Sequence, residues 1–205
     1  MNKIPEKTVE RLSLYRRVLI DLIPEQEFIY SHDLAALLHL TPVQVRRDLM
    51  LIGYSGTLRK GYNIQDLLQK LSSILDSEST ANVCVVGMGN LGRAITGYFN
   101  GRRSKLKIVA AFDNDTTKIN HLISGINCYP INQMYEVIKK ENISIGIITT
   151  PPEVATLVCE QLVTSGIKGI MNYTPTRLKV PDSVFIQEYD MITSLEKIAF
   201  YIQHS

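Results

Sequence analysis

The sequence predicts an α/β chain: an N-terminal domain of the winged helix-turn-helix type, then a Rossmann-like parallel sheet. Three observations carry that expectation. From residue 81 onward, apolar strand-like runs alternate with amphipathic helix-like runs, the mark of βαβ units. The first such strand, Val83-Cys84-Val85-Val86, enters Gly87-Met88-Gly89-Asn90-Leu91-Gly92, a glycine turn that opens a helix. Ahead of residue 76 the apolar periodicity is helical, and its turn residues leave two short helices separated by a tight turn.

Composition sets the outer bounds. A chain of 205 residues, 45% hydrophobic and 20% charged, is an ordinary globular sequence of one large or two small domains. The net charge of +2 arises in the first third: residues 1–75 hold ten Lys/Arg against eight Asp/Glu, and residues 76–205 hold twelve of each. That tilt permits nucleic-acid binding without arguing for it. Cys84, Cys128 and Cys159 lie far apart in apolar stretches with no Cys-x-x-Cys spacing, so they read as buried reduced thiols and no metal site is expected. No apolar run approaches the ~18 residues of a membrane span, and the N-terminus has no signal-peptide pattern, so a cytoplasmic location is expected.

In chain order, Thr8 is expected to cap a first helix with Val9, Leu12, Tyr15, Leu19 and Leu22 on its core stripe, ended by Pro24. Ser31 is expected to cap a short helix over 32–38. His39-Leu40 makes the turn, and Thr41-Pro42 restarts the chain with an N-cap and an N1 proline. The helix over 43–52 has Val45, Leu49 and Ile52 on its buried face and ends at Gly53. Gln44 and Arg47 lie opposite, with Arg46 at the edge, the face that would read bases and hold phosphates in a major groove. Residues 53–62, with three glycines, Arg59 and Lys60, read as a β-hairpin wing beside a phosphate backbone. A helix over 64–75, capped by Asn63, closes a DNA-binding domain at 1–76, and a polar linker follows over 76–80.

A Rossmann-like domain is expected over 81–190, with strands at 81–86, 106–112, 144–149, 169–171 and 184–187 and a short extended piece near 127–129. Helices are expected at 91–100, 132–140, 152–165 and 191–203. In the glycine turn, Gly87 permits the bend, Gly89 lets a pyrophosphate approach, and Gly92 lets the helix pack on the strand. The helix start adds N–H groups and a positive dipole end for phosphate. Asp113, twenty-one residues past Gly92, ends the second strand where a carboxylate meets an adenosine 2′-OH. Thr149-Thr150-Pro151-Pro152 faces the same sheet edge. These features indicate a dinucleotide site.

Hydride-transfer chemistry has no visible equipment. None of His32, His39, His121 and His204 is placed as an acid or base beside a nicotinamide. Tyr135 and Lys139 match a Tyr-x-x-x-Lys pair but precede the strand at 144–149, so they read as a helix-surface pair. A DNA-reading module joined to a dinucleotide module suggests a sensor rather than an enzyme.

The chain resembles the Rex family of redox-sensing transcriptional repressors along nearly its whole length. The matching stretches are Ile4-Pro5, Arg11-Leu12 with Leu14-Tyr15, Arg46-Arg47-Asp48-Leu49, Gly87–Gly92, and Ala110-Ala111-Phe112-Asp113. Further matches are Gly166-Ile167-Lys168-Gly169-Ile170 with Asn172 and Pro175, and Val180-Pro181 with Asp190. The resemblance implies a homodimer on a palindromic double-stranded operator, binding DNA with NAD+ or no ligand and released by NADH. It implies a C-terminal helix, within 191–205, that swaps into the partner. The residue roles it implies are pyrophosphate at Gly87, Met88, Gly89, Asn90, Leu91 and Gly92, adenosine ribose at Asp113, and nicotinamide ribose at Thr150 and Pro151. It places Ser31, Gln44, Arg46, Arg47, Arg59 and Lys60 on the DNA side, and makes Arg17, Tyr98 and Asp190 a redox-dependent coupling trio. The chain departs from the family at the wing (Thr57-Leu58-Arg59-Lys60), at Ile52 and Tyr54, and at Tyr173-Thr174. The competing readings are a divergent member without redox response and a small NAD-dependent oxidoreductase with an accessory helix-turn-helix.

Overall fold

A computed structural model of the chain describes residues 4–57, 59–76, 80–99 and 105–204. It divides into two compact units, residues 1–78 and 79–205.

In the first unit the elements are α1 (Glu6–Leu22), β1 (Phe28–Ile29), α2 (Ser31–Leu37), α3 (Pro42–Leu51), β2 (Tyr62–Asn63) and α4 (Ile64–Leu75). Leu12, Tyr15 and Leu19 of α1 meet Leu34, Val45, Leu49, Leu67 and Leu71 in one core. The stripe on α1 differs from the expected one at its start: Thr8 is buried and Val9 is 39% exposed. The helix begins at Glu6 after Pro5, so Thr8 lies inside it, and its hydroxyl accepts from Arg11 at 3.1 Å. Ser31 is likewise the first helical residue rather than the cap, because the Tyr30 N–H is met by the Asp33 carboxylate at 3.3 Å. Thr41 caps α3 as expected, its hydroxyl accepting from the Gln44 N–H at 3.2 Å, with Pro42 next in line. Asn63 caps α4 in the same way, accepting from the Asp66 N–H at 3.0 Å.

Among the described residues of the wing, β2 pairs antiparallel with β1, and Thr57 forms an antiparallel bridge with Gly61. Leu58 lies outside the described residues.

The second unit is a seven-stranded sheet in the order β5-β6-β4-β3-β7-β8-β9. Its strands are β3 (Ala81–Val86), β4 (Leu106–Asp113), β5 (Leu122–Ile123), β6 (Ile126–Pro130), β7 (Ile143–Ile148), β8 (Gly169–Asn172) and β9 (Phe185–Glu188). Every neighbouring pair is parallel except β5–β6, a tight antiparallel edge. Helices α5 (Asn90–Phe99), α6 (Met134–Lys140), α7 (Pro152–Thr164) and α8 (Met191–Gln203) complete it, with Asn100 and the central linker residues 77–79 outside the described set. The central strands β3, β4 and β7 are apolar on both faces, which is what burial between two helical layers requires. The two cores lie on opposite faces, one around Phe112, Ile148 and Leu162 and the other around Val85, Met88 and Ile147.

The short extended piece near 127–129 is a full five-residue strand, and β5 is an added one. Gly125 at φ +80° makes the turn between them, a left-handed conformation that glycine adopts at no steric cost. Tyr135 is exposed with the Lys139 ammonium 5.7 Å from its ring, a surface pair. All three thiols are buried, and burial pushes Cys84 up to about 12 and Cys128 up to about 11.

Candidate functional site

Strand order reverses around β3: the chain steps from β3 to β4 on one side, then crosses back to β7 on the other. At such a switch point the carboxyl ends of the strands leave a crevice. Here it is a cleft of about 470 Å³ lined by Gly87, Gly89, Asp113, Asn114, Asp115, Lys118, Ile131, Thr149, Thr150, Pro151 and Val154.

The glycines of the turn have three different structural reasons. Gly87 sits at φ +97°, and a Cβ there would lie 2.8 Å from the Thr149 carbonyl oxygen. A Cβ on Gly92 would collide with the Gly87 carbonyl oxygen, so α5 approaches β3 only because that atom is missing. A Cβ on Gly89 would meet nothing within 4 Å. The backbone at Gly89 therefore borders open space on the ligand side, a cradle that a side chain would fill. The Thr149 hydroxyl ties the turn to β7, donating to the Gly87 carbonyl at 2.7 Å. Asn90 and Leu91 begin α5 and are exposed, so the helix start faces outward.

Asp113 and Met88 behave differently from a simple pair of ligand contacts. Met88 is fully buried, and its N–H donates to Asp113 Oδ2 at 2.7 Å. Asp113 Oδ1 accepts from the N–H groups of Asn114 and Asp115 at 2.8 and 2.9 Å, and the Lys118 ammonium lies 3.2 Å from Oδ2. Burial pushes this carboxyl up, but the Asp115 and Met88 N–H groups and Lys118 outweigh it and hold it below the usual carboxylate range. Lys118 also bridges to Asp115 at 3.2 Å. Asp115 is half-buried and held down to about 2 by the Thr117 hydroxyl and N–H and by Lys118. The glycine-to-acid spacing points to Asp113 alone. Asp115 and Lys118 belong to the same cluster, and the signal that could find them is their spacing within the loop Asp113–Lys118.

The Thr150 hydroxyl oxygen is buried in the cleft with no hydrogen-bond partner among the described residues. A buried hydroxyl without a partner costs ~1–3 kcal/mol, so it fits a ligand group that supplies one. Pro151 beside it is exposed. Tyr173 packs against Tyr189 with ring centroids 5.1 Å apart. Thr174 is buried, and its N–H and hydroxyl both donate to Asn172 Oδ1, at 3.0 and 2.8 Å. The hydroxyl at this departure from the family pattern locks a turn within its own loop.

In the first unit, Arg46 and Arg47 are exposed on α3, and Arg46 donates to the Ser31 hydroxyl at 3.0 Å. Gln44 is half-buried and donates through Nε2 to Asp48 Oδ1 at 3.2 Å. Asp48 is buried on the core face of α3, three residues past Val45 and four before Ile52, although a charged residue by itself reads as solvated. Arg11 grips it with two bonds of 2.6 and 2.8 Å, and the Tyr15 hydroxyl donates to it at 2.7 Å. Burial raises this carboxyl, and the bonds from Arg11, Tyr15 and Gln44 overcome that and lower it. At the wing, Arg59 and Lys60 are exposed; the Arg59 carbonyl accepts from the Tyr30 hydroxyl at 2.9 Å, and Lys60 lies 5.3 Å from the Phe28 ring.

The three residues expected to couple ligand to DNA are divided between the units. Arg17 is exposed on α1, and Tyr98 is exposed on α5 with its ring 6.1 Å from Phe99. Asp190 caps α8, accepting from the N–H groups of Ile192 and Thr193 at 2.8 and 3.2 Å and from the Thr193 hydroxyl at 2.6 Å. The hydroxyl and N–H of Thr193, with the Ile192 N–H, hold it below the usual carboxylate range.

Fold and site together define a helix-turn-helix module joined to a Rossmann-type nucleotide-binding module. Comparisons with known proteins agree. Residues 3–49 match the family described as "Putative DNA-binding protein N-terminus", and residues 78–176 match the family described as "CoA binding domain". The redox-sensing transcriptional repressor Rex of Carboxydothermus hydrogenoformans is 42% identical over 98% of this chain and 97% of its own length. Among solved structures, RSP, a Rex-family repressor, in complex with β-NAD+ and operator DNA matches with TM-score 0.90 and 29% identity, over 100% of this chain and 94% of that one. RSP in complex with β-NADH matches with TM-score 0.87 and 28% identity, over 100% and 96%. The chain belongs to the Rex family of redox-sensing transcriptional repressors. No helix among the described residues is long and apolar enough to cross a membrane, and they contain no cluster of metal-ligating side chains.

Proposed function

We propose that the chain is a homodimeric repressor that binds palindromic operator DNA with NAD+ or without ligand and is released by NADH. The observation that carries the nucleotide half is the open backbone cradle at Gly89 beside the partnerless Thr150 hydroxyl. Gly89, Asn90 and Leu91 would hold the pyrophosphate through N–H groups, while Gly87 shapes the turn with its own N–H given to the Phe112 carbonyl at 2.8 Å. Met88 would act from behind, its N–H already engaged by Asp113. The cluster Asp113–Lys118–Asp115 would meet the adenosine ribose; with two carboxylates against one ammonium it stays net negative and disfavours a 2′-phosphate. Thr150 and Pro151 would border the nicotinamide ribose. The ring is cationic when oxidised and neutral when reduced, which is the difference the protein has to sense.

The titratable side chains lining the cleft are Asp113, Asp115 and Lys118, and they are bonded to one another. This supports a regulator rather than an oxidoreductase. On the DNA side, Ser31, Gln44, Arg46, Arg47, Arg59 and Lys60 would supply phosphate and base contacts. Arg17, Tyr98 and Asp190 would couple ligand to DNA. Because Asp190 caps α8, a redox-dependent pairing with Arg17 would also alter the start of that helix. Along α8 itself, Ile192, Leu195, Ile198 and Ile202 are 56–73% exposed and no residue is buried. A stripe of this kind fits a helix exchanged with a second copy.

The test is operator binding by fluorescence anisotropy, titrated with NADH at fixed NAD+ and moderate salt. Release by NADH and not by NADPH supports the reading. Binding that ignores NADH makes the chain a regulator of another signal.

A further inference from the structure

Asp48 lies on the helix that carries the exposed arginines, yet it faces inward and is 3% exposed. Its two oxygens accept four bonds: Arg11 Nε and the Tyr15 hydroxyl on Oδ2, and Arg11 Nη2 and Gln44 Nε2 on Oδ1. A carboxylate has about four acceptor sites, so the group is saturated. Its charge state is settled by the same neighbours, since Arg11 is an obligate donor and always cationic.

This arrangement decides something about Gln44. The two ends of a glutamine amide differ chemically: one oxygen accepts and one nitrogen donates. An ionised carboxylate only accepts, so the nitrogen has to face Asp48. The Gln44 oxygen is then turned away from Asp48, with the second N–H of the same nitrogen beside it. Gln44 is the third residue of α3, next to the Thr41 cap, at the end of a recognition helix that meets base edges. An amide held in this sense offers one acceptor and one donor side by side. Adenine presents the complement, the N6 amine and N7, in the major groove, whereas guanine presents two acceptors, O6 and N7, and opposes the amide oxygen.

We propose that Asp48 is a positioning residue that holds the Gln44 amide oxygen-forward and thereby makes Gln44 an adenine reader in the operator. This rests on the DNA-binding reading above. It adds a specificity-determining role to a side chain that cannot itself touch DNA.

The experiment uses the full chain with NAD+ and the duplex it selects from a randomised pool. Each adenine of that duplex is replaced singly by hypoxanthine, which carries a carbonyl at position 6, and separately by 7-deazaadenine. The expected result is an adenine in each half-site where hypoxanthine weakens binding about tenfold or more, the range of one bidentate base contact. In Gln44→Ala the part of that penalty due to the amide contact disappears at that adenine alone, leaving the cost of the hypoxanthine–thymine wobble pair that every substituted position carries. Asp48→Asn gives the readout that a merely structural role would not move. The asparagine oxygen has to stay with Arg11 Nε and the Tyr15 hydroxyl, so its NH2 takes the place of Oδ1, gives up the Arg11 Nη2 bond and turns to Gln44, which reverses the amide. The adenine-over-hypoxanthine preference at that one pair is then lost or inverted, with other positions unchanged.

Should Asp48→Asn fail to fold, Gln44→Glu serves in its place: a carboxylate cannot donate to Asp48 Oδ1 and is repelled by it, so it turns away from the core. With an acceptor retained forward and the donor removed, it keeps the hypoxanthine penalty and loses the 7-deazaadenine penalty. The proposal is overturned if every adenine penalty survives undiminished in Gln44→Ala, if the Gln44-dependent base is a guanine, or if Asp48→Asn weakens all duplexes equally. Failure of the underlying reading looks different: the wild-type chain then selects no duplex at any salt, and Arg46→Ala and Arg47→Ala change nothing.

Discussion

Among the described residues, Asp48 in one unit and Asp113 in the other each accept four hydrogen bonds, and the two are built from opposite materials. Asp48 is gripped mainly by side chains from far along the sequence, Arg11 and Tyr15, at separations of 37 and 33 residues. Asp113 is held mainly by backbone N–H groups, two from the residues just after it and one from Met88, with a lysine five residues on. The first arrangement fixes one helix against another; the second fixes the shape of a loop. A carboxylate of the first kind should therefore govern stability and helix placement, and one of the second kind should govern ligand binding.

The largest expected effect falls on stability, at the helix-fixing carboxylate. Asp48→Ala leaves the Arg11 guanidinium and the Tyr15 hydroxyl without their acceptor in a mostly buried setting, a loss of ~3–5 kcal/mol. Urea denaturation of the variant should show it as a lowered midpoint with an unchanged slope. Asp113→Ala is the counterpart. It strips one acceptor from backbone donors that water can partly reach, so about 1–3 kcal/mol of stability is lost. NADH affinity, measured by calorimetry, should fall at least ~tenfold, because the Met88 N–H no longer anchors the turn.

Two glycines separate packing from binding on the loop side. Gly92→Ala forces a methyl against the Gly87 carbonyl oxygen and should lower stability by ~1–3 kcal/mol, the cost of overpacking. Gly89→Ala meets no protein atom, so its melting temperature should match the wild type while its nucleotide affinity falls. Equal behaviour of the two variants would remove the distinction between a packing glycine and a cradle glycine.

The smallest effect is on acid stability, and there the two carboxylates should agree. Both are lowered in the folded chain, so each contributes stability that is fully present above the unfolded carboxyl value of ~4. That contribution is lost as the pH falls from there through the lower folded values. Urea midpoints at descending pH should drop below about pH 4, and less so in Asp48→Asn.

Much of this architecture is legible in the residues themselves. The glycine turn, the βαβ alternation and the Thr41-Pro42 helix start are local constraints: a positive φ, a missing Cβ and a cap act within a few residues. Such constraints suffice to set the order of the elements, the place of the nucleotide cleft and the exposed pair Arg46-Arg47. They do not reveal that Asp48 is buried, because a charged residue at that helical position reads as solvated until Arg11 and Tyr15 arrive from another helix. Nor do they reveal that Asp113 holds Met88, 25 residues earlier, or that β5 adds an antiparallel strand outside β6 at the sheet edge. Those facts depend on which distant groups the packing brings within hydrogen-bond reach. Burial and hydrogen-bond satisfaction are properties of the assembled core, so they are settled by tertiary packing and not by any short stretch of chain.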